Sequence, residues 1–292
     1  MPMTPTRARY LISSFALLVW GIQAPAQLLW SLYPPGGGAP SYLFGTMHLV
    51  PGEYTPSDEV KSAIAASDAF AMEVLLDLSL AEQVQLARLM MMDPPLQKRL
   101  DPEKFLQVRA EALALGLKPA NFDRLCTFQP IFMAPAVLSM ALDPASEVDR
   151  ALHRYARKKK CALHGFETAE FQLNLLSQIP IEQQLKMFDG PDVWGLMEFE
   201  KMAHLYAHER LDSLHAFMSD GMETDFPGLE KALLEDRNRA WIPQIEALAA
   251  EGTVFVAVGA GHLSGPTGVL ALLQERGWRC SPFAREETQS GR

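Results

Sequence analysis

Short apolar runs mark strands near both ends of the chain, and apolar residues at three- and four-residue spacing mark helices between them. Residues 28–33 and 41–44 flank a Pro-Pro-Gly-Gly-Gly turn at 34–38 and read as a β-hairpin. A helix is expected over 56–67, with Thr55 or Ser57 able to cap it, and a buried strand over 69–75. Helical spacing then covers 79–92, 102–115, 128–142 and 146–159, punctuated by Gly116 and prolines at 94, 95, 102, 119 and 144. Residues 161–166 form the next strand, and Thr168 can cap a helix over 169–178. More helices fill 181–250, one of them over about 233–250. The last unit is a buried strand at 253–258, a turn at 259–262, a helix at 265–276 closed by Gly277, and a strand at 278–283.

This order predicts an α/β (α+β-like) fold. A central sheet is built from both chain ends and carries a large helical insertion, about 79–160 and 168–250. No solenoid-period repeat and no low-complexity linker divides 27–292, so one domain is expected there.

Residues 1–26 stand apart. Arg7 and Arg9 precede an apolar run over 10–22, and Ala24-Pro25-Ala26 offers the small-x-small pattern of a signal-peptide cleavage site. The run is short for a membrane span, with an uncleaved anchor as the alternative. The expectation is export, with a bacterial periplasm as the destination and no stable membrane insertion after cleavage. A net charge of −9 gives no electrostatic footprint for nucleic acid or an anionic membrane. The basic stretch 154–160 reads as a solvated helix end. Three cysteines, Cys126, Cys161 and Cys280, are too few for a disulfide scaffold. Cys161 and Cys280 read as packing thiols, with a single bridge left open.

The chemistry concentrates at strand ends. The strand at 41–44 runs into Gly45-Thr46-Met47-His48, and the strand at 253–258 runs into Gly259-Ala260-Gly261-His262. Glu73 lies in the strand at 69–75, and Glu167 follows 161–166. In open α/β sheets the carboxyl ends of the strands are the ligand-binding edge. Two imidazoles with two carboxylates suit a divalent metal (Mn²⁺, Co²⁺ or Zn²⁺) whose open position activates water, or paired acid/base work. Without a metal, a histidine oriented by a glutamate serves as general base. Glu167 would act as a ligand or orient one. Arg237, on the helix before the 253–258 strand, would bind a carboxylate or oxyanion, with Asn238 beside it; its alternative is a surface pair with Glu235 or Asp236. Glu200, His204 and His208 share a helix face at four-residue spacing, but the polar face of an amphipathic helix explains them as well. His153, His164 and His215 have no supporting partners in the sequence. The methionines at 90–92 and the Met and Phe residues of 128–140 would line an apolar groove or simply fill the core.

The segments Leu43-Phe44-Gly45-Thr46-Met47-His48, Ala71-Met72-Glu73, Gly165-Phe166-Glu167-Thr168, Asp236-Arg237-Asn238-Arg239 with Trp241, and Val258-Gly259-Ala260-Gly261-His262-Leu263 resemble the TraB/GumN (PrgY, TIKI) family, from about 28 to 283. The resemblance implies catalytic roles for His48, Glu73 and His262, as in the TIKI-related metal-dependent peptidases. Asp149 also fits the family pattern, or is a first-turn helix charge. Erythromycin-esterase-like relatives have a similar histidine and glutamate arrangement without a clear metal, and PrgY-like members are associated with limiting peptide pheromones. The expected function is therefore an exported hydrolase, foremost a metal-dependent peptidase, with Asn238 and Glu167 toward a peptide or small-molecule substrate. The alternatives are a metal-free esterase-like hydrolase and a non-catalytic peptide- or glycan-binding protein.

Overall fold

The computed structural model describes residues 27–142 and 145–283; residues 1–26, where a signal peptide is expected from the sequence, and Pro144 lie outside them. Six strands form one sheet: β1 (Leu29–Tyr33), β2 (Ser41–Thr46), β4 (Ala69–Val74), β6 (Ala162–Glu167), β7 (Val254–Gly259) and β8 (Arg279–Pro282). Their order is β6-β4-β7-β2-β1-β8. The first four are mutually parallel. The hairpin strand β1 runs antiparallel to β2 and to β8. A mixed α/β sheet assembled from both chain ends is thus what forms.

β7 sits centrally, and Val254, Phe255, Val256, Ala257 and Val258 are all fully buried. Side chains alternate between faces along a strand, so burial at every position means that both faces are covered. The continuous apolar run at 253–258 is the sequence signature of that position. On β7, Phe255 stacks on Phe70 of β4 at 5.7 Å between ring centres.

The helices cover the sheet and extend beyond it. α1 (Asp58–Ala65) begins at Ser57, whose hydroxyl accepts from the Val60 amide, and packs on α6 (Val148–Lys159). α11 (Asp236–Glu251) packs on β7 and on α12 (Val269–Glu275). α12 starts later than the apolar spacing suggests. Gly265 adopts φ +85°, and a Cβ at Gly268 would fall 2.2 Å from the Ser264 carbonyl, so 265–268 is a tight turn before the helix.

Between α1 and α11 lie α2 (Leu80–Met90), α3 (Pro102–Ala114), α4 (Pro119–Leu125) and α5 (Pro130–Ala141), followed after α6 by α7 (Ala169–Ser177), α8 (Ile181–Leu185), α9 (Leu196–Ala207) and α10 (Leu211–Asp225). Much of this insertion is held by a second hydrophobic cluster including Leu96, Phe122, Met133, Phe188 and Trp194. Met92 and Met133 are core residues here, while Met91 is exposed. Cys126 is the fully buried thiol; Cys161 and Cys280 are half-buried, and all three are free. No helix among the described residues is long and apolar enough to cross a membrane.

One element escapes the pattern of the sequence. Residues Val50–Pro51 (β3) pair antiparallel with Ala145–Ser146 (β5), two residues each. Strands this short carry no readable alternation. Their consequence is large, because they tie the segment after His48 to the one before α6.

Candidate active site

Because β6, β4, β7 and β2 are neighbours running in the same direction, their carboxyl ends form one edge. That edge carries Glu167, Glu73, the His262 turn and the His48 turn. The two Gly-x-x-His segments abut: Thr46 pairs with Gly259 in the ladder, and a Cβ at Gly45 would lie 3.1 Å from the Ala260 Cα. Only glycine at 45 allows this approach without displacement.

Arg237 forms the floor. Its Nε donates to both oxygens of Glu167, at 3.1 and 3.0 Å, and its Nη2 lies 2.6 Å from Glu73 Oε2 and 2.9 Å from Glu167 Oε2. Its Nη1 donates to the Leu233 carbonyl at 2.8 Å and faces His262 Nε2 at 3.2 Å. A guanidinium has five N–H donors, and these contacts account for all of them. Lys231–Glu235 forms a π-helical turn immediately before α11, which presents the Leu233 carbonyl to Arg237. Arg237 is thus buried against Glu73 and Glu167, while Arg239 takes Glu235 and Lys231 takes Asp236.

Glu73 accepts from Arg237, from Gln172 Nε2 at 3.0 Å, and from the Gly259 amide at 2.7 Å. Burial alone would raise its pKa; the charges of Arg237 and His48 and the Gly259 N–H hold it well below the ordinary value. Glu167 also accepts from the indole N–H of Trp241 at 2.8 Å. Trp241 packs against His262, with ring centres 4.5 Å apart and planes tilted by 46°, and lies under the Arg237 guanidinium.

His262 has a defined tautomer. Asn238 Nδ2 donates to the Thr267 carbonyl at 2.9 Å, so its Oδ1 accepts from His262 Nδ1–H at 2.7 Å. Nε2 then carries the lone pair that faces Arg237. Burial, followed by the Arg237 charge, keeps this imidazole neutral, with its pKa pushed well down. Asn238 is 1 % exposed, and both Asn238 and Glu167 are taken up by protein partners below the cleft. Glu167 bonds to Arg237 and Asn238 bonds to His262.

His48 is different in kind. Its side chain is 77 % exposed, and Nδ1 lies 2.9 Å from Asp149 Oδ2. The Thr46 hydroxyl donates to Asp149 Oδ1 at 2.7 Å. Asp149 stands in the first turn of α6, and the β3–β5 ladder brings that turn to the His48 segment. The hydrogen bond to Asp149 raises the His48 pKa to about 9. Among the described residues no side chain bonds to Nε2.

A cleft of about 360 Å³ opens over this edge, bordered by His48, Glu73, Arg237, Gly261 and His262 and walled by apolar side chains of α5, α9 and α10. Among the described residues no three His, Cys, Asp or Glu side chains are grouped as metal ligands. The chemistry of His48, Glu73 and His262 suits a divalent ion, and the guanidinium of Arg237 stands against two of the three. His262 Nε2 and Glu73 both face the Arg237 guanidinium, which a metal ion would have to displace. His204 and His208 lie with tilted rings 4.2 Å apart on the exposed side of α9, where His208 Nδ1 bonds the His204 carbonyl. Three residues at the site gave little signal in the sequence: Gln172 on α7, His215, whose Nδ1 lies 3.3 Å from the Gly261 carbonyl, and Thr46 as a partner of Asp149. Each depends on a helix arriving from far along the chain.

No curated protein and no solved structure matches the chain significantly. The model of the TraB/PrgY/gumN family matches residues 28–282, and every site side chain described above lies inside that span. The chain belongs to the TraB/PrgY/gumN family.

Proposed function

We propose that this protein is a hydrolase of acyl bonds, peptide or ester, in which His48 activates water. The observation that carries this reading is the His48–Asp149 pair at the mouth of the cleft. A carboxylate on Nδ1 fixes the tautomer and ring orientation, leaving Nε2 to take a proton from water. As the water oxygen bonds to the carbonyl carbon, its proton passes to Nε2. It then leaves with the amine or alcohol as the acyl bond breaks. Glu73, Arg237, Glu167 and Asn238 hold His262 and the Gly259–Gly261 turn in place beneath the reacting atoms. General base catalysis of this kind contributes roughly 10²- to 10⁴-fold. The leader-like N terminus makes action after export part of the same proposal.

The metal-dependent peptidase is the second reading, supported by the donor chemistry of two imidazoles beside a carboxylate. One experiment separates the readings: hydrolysis of a peptide and ester panel by the mature protein, with and without chelator, and by His48→Ala. Chelator-resistant hydrolysis that disappears in a folded His48→Ala protein is expected. Full activity in that variant overturns the proposal. Stoichiometric metal with chelator-sensitive cleavage favours the second reading, and tight peptide binding without turnover favours a binding protein.

A further inference from the structure

The walls of the cleft carry information that its floor does not. Leu138 of α5, Phe199 and Met202 of α9, Leu214 and Met218 of α10, and Leu234 line it above the polar edge. None of these offers a charge or a hydrogen bond, so a polar group seated among them would lose its water without a partner. The volume, about 360 Å³, lies in the range of small-molecule pockets. Two of the walls are methionines, whose unbranched side chains adapt to different apolar shapes. Met218 also presses on the second Gly-x-x-His turn: a Cβ at Gly261 would sit 2.8 Å from its terminal carbon.

A second cleft, of about 300 Å³, meets the first at His48, Leu49, Glu73 and Pro135. Its remaining border mixes Met72, Val74 and Leu76 with Ser139, Asp149 and Gln172. A chain passing from one cleft to the other would therefore lie across His48, with the more strictly apolar flank on the α5–α9–α10 side.

We propose that the α5–α9–α10 cleft is the specificity pocket, seating a large apolar side chain next to the bond presented to His48, with Met218 and Leu138 setting its size. This rests on the reading that the cleft holds the reacting bond. The substrate class is then a peptide, or an acyl compound of similar shape, with a leucine- to phenylalanine-sized group flanking that bond.

Binding tests the pocket independently of turnover. The probes are N-acetyl-Ala-Leu-Ala-amide and N-acetyl-Ala-Gly-Ala-amide, titrated calorimetrically against the full chain and against His48→Ala. Burying a leucine side chain should favour the first probe by about 10- to 100-fold in both proteins. Met218→Trp and Leu138→Trp, which fill the pocket, should abolish that preference, and Met218→Ala should shift it toward a tryptophan-bearing probe. Equal affinity for the two probes in the wild-type protein overturns the pocket. So does an undiminished leucine preference in both filled variants. If those variants do not fold by circular dichroism, the Met218→Ala shift decides, and no shift overturns the proposal. A leucine preference without hydrolysis counts against the hydrolase reading alone; hydrolysis without the preference counts against the pocket alone.

Discussion

His48 Nδ1 stands 2.9 Å from Asp149 Oδ2, although 101 residues separate them. The pairing exists because β3 and β5 clip the two segments together and because Thr46 holds the other carboxylate oxygen. Replacing Asp149 by Asn keeps the shape but removes the charge. With His48 as base, activity in the wild-type protein rises with pH through the raised His48 ionisation, near 9. In Asp149→Asn that ionisation falls toward the ordinary 6.5, so the rising limb moves to lower pH while the plateau drops by about 10²-fold. A pH–rate profile of both proteins checks this, and an unmoved limb would remove Asp149 from its role.

Acid should weaken the fold in two stages. His262 is held neutral, with a folded-state pKa below 6.5, so below pH 6.5 the unfolded chain binds a proton that the folded one refuses. Stability therefore declines as pH falls from 6.5. Glu73 has the same sign: its pKa is depressed below 4.5, so its contribution is complete above 4.5 and is lost as pH falls further. Urea midpoints measured from pH 8 to 3 should fall in both windows. In His262→Gln the decline beginning at 6.5 should flatten while the lower one remains.

Arg237 neutralises two buried carboxylates, so its loss is primarily a stability defect. Arg237→Met should cost about 3–5 kcal/mol, the range for stripping one partner from a buried ion pair. Arg237→Lys keeps the charge but not the planar fork that reaches Glu73, Glu167, Leu233 and His262 together, so it should fall between. Denaturant unfolding of the two variants gives the comparison; equal stability of Arg237→Met and wild type would contradict this floor.

The glycines of the two motifs should differ in tolerance. At Gly45 the new methyl meets the Ala260 backbone at 3.1 Å, which cannot step aside, and Gly45→Ala should destabilise by about 1–3 kcal/mol. At Gly261 the methyl meets only the flexible tip of Met218. Gly261→Ala should be milder, and adding Met218→Ala should relieve it. Thermal melts of the three proteins check the order.

Much of this architecture is legible from local pattern. The continuous apolar run of β7 could satisfy itself only where both faces are covered, and the Gly-rich turn at 34–38 could only reverse the chain into a hairpin. Polar residues at the ends of otherwise apolar strands, namely His48, Glu73, Glu167 and His262, pointed to one sheet edge, and the strand order places them there. Arg237 reads ambiguously, because a charged residue early in a helix is equally at home on the surface. Its burial follows from the packing of α11 against β7. Likewise Asp149 is, locally, a first-turn acid of α6, and Asn238 is only the residue after Arg237. What each side chain bonds to depends on contacts between segments dozens to more than a hundred residues apart, and local periodicity carries no record of those. The amino-acid order thus determined the strands, the turns and the chemical groups at their ends. The tertiary structure alone decided that Arg237 would face Glu73 and His262, and that His48 would meet Asp149.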